Sequence, residues 1–270
     1  MDFIDGLLRS LPGRSLVLGS DRRAISPVIA HLIKNPPKPK TLDPDVHSLP
    51  LISVVIPVRN GAHFLPEAVA SVIAQDYAKI EVIVVDDGST DAIEAAVAAL
   101  PIQVRFLRQE NGGAAAARNL GIRAASGDLI AFLDVDDLWP HHTLQTHVSW
   151  LARHPETDVV IGRAQLMEEA EDGTFQFVGS PAEGFVYYIG SALYRRRAFE
   201  RNGLFDPLLR FAEDTDWFTS AEGNDLRIDR LDVITLHVRR HAANMTRDKT
   251  AIELIPLRAL RNALRRKRSP

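Results

Sequence analysis

LISVVIPVRNGAHFLPEAVASVIAQDYAKIEVIVVDDGSTD, residues 51–91, is the stretch whose patterning decides the fold. Two short β-branched runs, ISVVI at 52–56 and EVIVV at 81–85, flank an alanine-containing segment that predicts a helix over Pro66 to Ala74. Runs that are apolar on both faces belong to buried parallel strands, and a helix between two of them is the crossover of a β-α-β unit. The pattern continues outward. VRFL at 104–107 and LIAFL at 129–133 read as further buried strands, with helices expected over Thr90 to Leu100 and Ala114 to Ala125. A helix at Thr143 to Arg153 and a strand at DVVIG, 158–162, extend the series. The expected fold class is α/β, a doubly wound, mostly parallel sheet with flanking helices. Beyond Ala170, Gly173, Gly179, Gly184 and Gly190 break the alternation into a mixed region of hairpins and loops.

The flanks differ from this centre. Residues 1–50 end in NPPKPKTLDPDVHSLP, whose five prolines disfavour helix interiors and central strands. They read as a linker preceded by two short helices, near Phe3 to Ser10 and Arg22 to Ile33. The C-terminal segment 249–270 contains LRALRNALRRKR, with Leu257, Leu260 and Leu264 on one helical face among six basic residues. It is either a solvated terminal helix or a surface that lies on anionic lipid or binds a protein.

Composition narrows the function classes. The chain has 270 residues, 46% hydrophobic, with a formal net charge of −3, which disfavours the broad positive face that nucleic acid requires. It has no cysteine, hence no disulfide, thiolate metal site or cysteine nucleophile. The N-terminus is poor as a signal peptide and no window has the length of a membrane span. The expected setting is cytoplasmic, with peripheral contact at the inner face of the membrane through the basic tail as a further expectation.

In parallel sheets, ligands bind beyond the carboxyl ends of the strands. Four polar segments fall there: PVRN at 57–60, DDGSTD at 86–91, QENGG at 109–113 and DVDD at 134–137. Asp86 and Asp87 form either a capped turn, with Ser89 or Thr90 capping the next helix, or an acceptor for a base or ribose, for which Asp87 is preferred. Gly112 and Gly113 allow close backbone approach. The helix after them presents free N–H groups suited to a phosphate or a carboxylate, unless it is an ordinary capped helix. Arg118 reaches a phosphate or pairs with an Asp across the site. Asp134, Asp136 and Asp137 repel one another unless a cation compensates, and hard oxygen ligands suit Mg2+ or Mn2+. The plain alternative is a solvated acidic turn. Glu213, Asp214 and Asp216 open a further helix beside Trp217 and Phe218, either satisfying its dipole or supplying a general base. Arg239, Arg240 and His241 ligate metal, bind diphosphate or form a polar loop.

Taken together, VVIPVRN, VIVVDDGSTD, ENGGAAAARNLGI, ASGDLIAFLDVDD, GLFD, AEDTDW and RRHAANMT resemble, in order and spacing, the family 2 glycosyltransferases, inverting enzymes of the GT-A fold. The resemblance covers residues 51–248, divided into a nucleotide-sugar half, 51–140, and an acceptor-side half, 141–248. It implies a nucleoside-diphosphate sugar donor, UDP-linked by expectation, and a glycan, lipid-linked or peptide acceptor. Pro57, Asp87 and Arg118 fall at nucleotide-contacting positions, in company with Val58 and Asn60. Asp134 and Asp136 face ribose and sugar, and Asp137, with Asp136 and His241, holds the divalent cation. Asp214 matches the catalytic base and Arg240 a position near the diphosphate. Arg59 stands where the family commonly has tyrosine. The QxxRW motif of processive synthases is missing, which argues for transfer of single sugars. The rival readings are a nucleotidyltransferase of related sheet topology, disfavoured by the few glycine and basic residues after the first strand, and a non-catalytic nucleotide-sugar-binding protein. A dinucleotide-dependent oxidoreductase is disfavoured, because the first strand is not followed by G-x-G-x-x-G.

Overall fold

The computed structural model describes residues 49–75, 77–180, 188–242 and 244. The expected N-terminal helices, the proline-rich linker to residue 48 and the basic tail lie outside them.

Strand β1 (Ile52–Val58) is buried at every position and forms the centre of the parallel half. It pairs in parallel with β2 (Ile80–Asp86) on one side and β4 (Leu129–Phe132) on the other, and β3 (Arg105–Arg108) extends β2 in parallel. Helix α1 (Leu65–Ile73) connects β1 to β2, α2 (Ile93–Ala98) connects β2 to β3, and α3 (Ala114–Ala124) connects β3 to β4. The expected crossovers are therefore present, with two local corrections. The 104–107 run is a half-exposed edge strand, because among the described residues it has a partner on one side only. Helix α2 starts at Ile93 with no side-chain cap, since Ser89 and Thr90 are engaged elsewhere, as described below.

Beyond α4 (Thr143–Arg153) the sheet changes direction. Strand β7 (Ala192–Arg195) runs antiparallel to both β4 and β5 (Val159–Glu169), and β6 (Phe175–Phe177) forms a hairpin with β5. Helix α5 (Arg196–Asn202) and helix α6 (Glu213–Gly223) follow, and β8 (Ile228–Arg240) pairs in parallel with β5. The resulting eight-stranded sheet is mixed, with a parallel half at β3-β2-β1-β4.

Alternation along β1 separates two cores. Ile52, Val54, Ile56 and Val58 face α1 and α4 through Leu65, Val69, Leu144 and Leu151. Val55 faces the opposite layer, where α3, α5 and α6 contribute Ala117, Ile122, Phe199, Trp217 and Phe218. That layer contains a run of edge-to-face rings: Phe132 lies 5.5 Å from Tyr194 and 5.6 Å from Phe205, centroid to centroid. Gly121 permits its closest approach, since a Cβ there would run into the Val55 side chain.

Candidate active site

All four polar segments emerge at the carboxyl edge of the parallel half, and hydrogen bonds tie the first three to one another, while 134–137 is held by Arg118 and by residues of and after β8. Pro57 and Val58 are the buried last residues of β1, and the Val58 carbonyl accepts from the Asp87 N–H at 2.8 Å. Asn60, exposed and left-handed at φ 53°, accepts through Oδ1 from the Thr90 N–H at 2.8 Å, while its own N–H donates to Ser89 Oγ at 2.9 Å. These bonds fasten the first loop to the second and explain why neither hydroxyl caps α2. Asp86 is fully buried and accepts from the Ser89 N–H at 2.8 Å.

Asp87 receives three donors. Gln109 Nε2 and the Gly112 N–H donate to Oδ1, both at 2.8 Å, and the Gly113 N–H donates to Oδ2 at 2.9 Å. The glycine pair before α3 thus meets a carboxylate, one of its two expected ligands. Gly113, at φ 89°, opens the helix without a side-chain cap of its own, so Asp87 supplies that function from the neighbouring strand.

Arg118 lies one turn into α3 and is 4% exposed. Its Nη2 donates to Asp134 Oδ1 at 2.6 Å and its Nη1 to Glu213 Oε1 at 2.5 Å. Burial lowers the guanidinium pKa, but the two carboxylates outweigh burial and hold it charged. Next to it, Asn119 donates to the Phe205 carbonyl at 2.8 Å and accepts from the Phe205 N–H at 3.0 Å. Adjacent residues of α3 therefore grip the segment leading into α6, and with it Asp214.

Burial raises the Asp134 carboxyl pKa. Arg118 opposes that rise and repulsion from Asp136 adds to it. Asp137 is pushed well above the usual carboxylate range, first by burial and then by Asp136 and Asp134. Its Oδ1 accepts from the Arg239 N–H at 3.0 Å. Asp136 Oδ2 lies 3.2 Å from His241 Nε2 and accepts from Asn244 Nδ2 at 3.1 Å. The late strand β8 delivers these partners, clamped to the acidic loop by reciprocal backbone bonds between Leu138 and His237 at 3.1 and 2.8 Å.

Asp214 is the second residue of α6, which starts directly after Ala212, a non-glycine residue at φ 59°. Burial first, and then Glu213, raise its carboxyl pKa, while the Thr215 N–H and Arg118 oppose the rise. A carboxyl raised in this way is suited to accept a proton. Trp217, by contrast, faces the core and donates to the Gly203 carbonyl at 2.9 Å.

Two residues of this neighbourhood were not singled out from sequence. Tyr188 precedes a short turn, 189–191, whose Gly190 carbonyl accepts from Trp139 Nε1 at 2.8 Å. Its phenol is raised by burial and then by Asp137, with Arg240, Asp214 and Asp134 also acting on it, so it lies among the site's charges. No pattern in GFVYYIGS marks it. Glu67, in the first turn of α1, pairs with the buried Arg239, whose guanidinium lies 4.8 Å from the Phe64 ring centroid and whose Nε donates to the Asp136 carbonyl. A first-turn acid after Pro66 was the available signal for Glu67. Arg239 is 1% exposed, whereas Arg240 is exposed.

Among the described residues, no three carboxylate or imidazole groups converge into a ready-made metal cage. Mg2+ and Mn2+ do not need one, because at a diphosphate such ions use one or two protein ligands and take the remainder from phosphate oxygens and water. The mutual repulsion that raises the Asp134 and Asp137 pKa values is what a cation would relieve. The residues present fit a divalent ion on those terms.

The family model described as Glycosyl transferase family 2 matches residues 53–203, more than half of the chain and the whole parallel half of the sheet. The chain belongs to glycosyl transferase family 2. An uncharacterized glycosyltransferase of Rickettsia prowazekii is 30% identical over 217 residues, covering 73% of this chain and 66% of the relative. EpsJ of Bacillus subtilis, also an uncharacterized glycosyltransferase, is 32% identical over 206 residues, covering 68% and 59%. The chain thus spans less than two thirds of the length of these relatives. Among solved structures, the S. aureus TarS fragment 1–349 in complex with UDP-GlcNAc shares the fold at TM-score 0.61 and 23% identity, over 74% of this chain and 62% of that one. The mannosyltransferase PcManGT from Pyrobaculum calidifontis, in complex with GDP-Man and Mn2+, matches at TM-score 0.57 and 24% identity, over 81% and 64%. Membership of family 2 disposes of the nucleotidyltransferase alternative. Among the described residues, no helix is long and apolar enough to cross a membrane.

Proposed function

We propose that this family 2 chain transfers one sugar from a nucleoside-diphosphate sugar to an acceptor hydroxyl, with inversion at the anomeric carbon and with a divalent cation. The observation that carries the reading is the convergence of Asp134, Arg118 and Glu213, which brings the Glu213–Asp214 pair to the acidic loop although about 80 residues separate them. The structurally similar TarS fragment and PcManGT are in complex with UDP-GlcNAc and GDP-Man, and a UDP-sugar is the donor proposed for this chain.

In this reading Pro57, Val58, Asn60 and Asp87 belong to the nucleotide side, Asp134 and Asp136 face ribose and sugar, and Arg240 lies toward the diphosphate. Asp137, Asp136 and His241 hold Mg2+ or Mn2+, which when bound neutralises charge on the diphosphate. Asp214 takes the proton of the acceptor hydroxyl, and the freed oxygen attacks the anomeric carbon. The bond from that carbon to the diphosphate oxygen breaks, and its electron pair leaves with the nucleoside diphosphate. Exposed Arg240 stabilises that negative charge. The acceptor is a glycan, a lipid-linked sugar or a peptide, in a cytoplasmic setting with peripheral membrane contact.

The test is a panel of UDP- and GDP-sugars assayed for release of nucleoside diphosphate with Mn2+ or with EDTA. We expect Mn2+-dependent release, lost in Asp214→Asn and Asp137→Asn. Tight nucleotide binding with no release from any donor would overturn the catalytic reading in favour of a binding protein.

A further inference from the structure

We propose that Arg118 is a positioning residue, a buried strut that sets the distance between the donor-side carboxylate Asp134 and the helix carrying Asp214, and that it does not touch the nucleotide. The inference rests on the reading of Asp214 as the base. Its geometric ground is independent of that reading. Two planar N–H groups of one guanidinium are spent on two carboxylates from different halves of the chain, at 2.6 and 2.5 Å. Only 5% of the Arg118 side chain is exposed, and the Glu213 side chain is 12% exposed. Short bonds of this kind, formed from a rigid fork, fix direction as well as distance.

The helix that carries the strut is itself immobilised on three sides. Asp87 holds its first N–H groups, Gly121 seats it against Val55, and Asn119 makes two hydrogen bonds to the Phe205 backbone. Arg118 therefore has a fixed base from which to hold Glu213. The backbone enters α6 through left-handed Ala212, and the Arg118–Glu213 contact anchors the residue directly before Asp214, whose Oδ1 accepts from the Thr215 N–H at 2.6 Å. The Trp217 ring, packed one turn further along α6, keeps the helix from sliding away.

A strut and a nucleotide ligand make opposite demands on kinetics. Loss of a nucleotide contact weakens UDP binding and raises KM, whereas a displaced base lowers kcat at saturating donor. A displacement of about 1 Å at a reacting group costs on the order of 100-fold in rate.

Three variants of the full chain test this: Arg118→Lys, Glu213→Gln and the double variant, measured for UDP affinity by calorimetry in the presence of Mn2+ and for kcat and KM with the active donor. We expect UDP affinity to stay within about threefold of wild type while kcat falls on the order of 100-fold in Arg118→Lys. Glu213→Gln keeps an acceptor for Nη1 but loses the charge, so a smaller fall in kcat is expected. The double variant should then be no worse than Arg118→Lys alone, because both remove the same constraint. A tenfold or greater loss of UDP affinity in Arg118→Lys with kcat retained would overturn the proposal, and so would strictly additive losses in the double variant. If Arg118→Lys does not fold, Glu213→Gln decides: unchanged kcat there overturns the strut. Full turnover in Asp214→Asn would instead sink the assignment of the base, a failure distinguishable from any of these.

Discussion

Replacing Asp87 with alanine separates a helix clamp from a mere ligand contact. The carboxylate accepts the Gly112 and Gly113 N–H groups at 2.8 and 2.9 Å, the first in the loop before α3 and the second among the donors that α3 cannot satisfy internally. Hydrogen bonds to a charged group contribute about 1.5–3 kcal/mol each. The third donor, the Gln109 side chain, is free to turn to water and is left out. Two backbone bonds then give a loss of about 3–6 kcal/mol in Asp87→Ala. For a chain of this size each kcal/mol shifts Tm by about 2–4 °C, so the expected fall is on the order of 6–24 °C. Thermal unfolding followed by circular dichroism, without metal or nucleotide, measures it. Asp87→Asn should fall between, since one carboxamide oxygen still serves Oδ1's partners while the NH2 group faces the Gly113 N–H. A Tm within about 2 °C of wild type, accompanied by lost UDP affinity, would refute the clamp and leave Asp87 as a ligand contact alone.

Further outcomes follow from other contacts. The Asp137 carboxyl is raised in the folded chain, so its contribution to metal-free stability is full below the unfolded value of about pH 4 and is lost as pH rises through the folded value. Metal-free wild type should therefore lose more Tm between pH 5 and pH 8 than Asp137→Asn, which should also lose any Mn2+-induced rise; parallel pH slopes would contradict this. Asp158 has the opposite sign: Arg197, the Arg227 N–H and Arg201 outweigh burial and lower its pKa. Its contribution is present above about pH 4 and disappears as pH falls through the folded value, so Asp158→Asn should flatten the acid limb of a stability–pH curve. Gly121→Ala should destabilise by about 2 kcal/mol, because overpacking against Val55 exceeds the helix-propensity gain, and a stabilised variant in urea titration would refute the seating of α3 on β1.

The parallel half was legible because its signals are local. A run such as ISVVI, apolar on both faces and followed by a helical stretch, has few ways to bury itself other than as a central parallel strand. The same logic failed for VRFL, where whether a strand is central or at the edge depends on a partner that sequence does not reveal. It also failed for β8, a 13-residue strand with charges at many positions and interruptions in its register with β5. Long-range pairing made that strand, not an alternating pattern.

The candidate site divides along the same line. Asp87, Asp134, Asp136 and Asp137 could be located from their position at strand ends, but the partners that set their chemistry come from remote segments. Arg239 reaches Asp137 from about 100 residues away, and Glu213 reaches Arg118 from 95. Sequence named Arg118 and left its partner open between a phosphate and a carboxylate; the fold supplies two carboxylates. That outcome changes what a buried arginine on this sheet edge is for. A guanidinium already paired on both sides has little attraction left for a diphosphate, so in the function proposed above the positive charge for the leaving group is assigned to the exposed Arg240 and a bound cation. If so, raising Mn2+ should rescue part of the kcat lost in Arg240→Ala but none of that lost in Arg118→Lys. Rescue of both by metal would mean that the two arginines share one role, and the distinction between strut and charge would collapse.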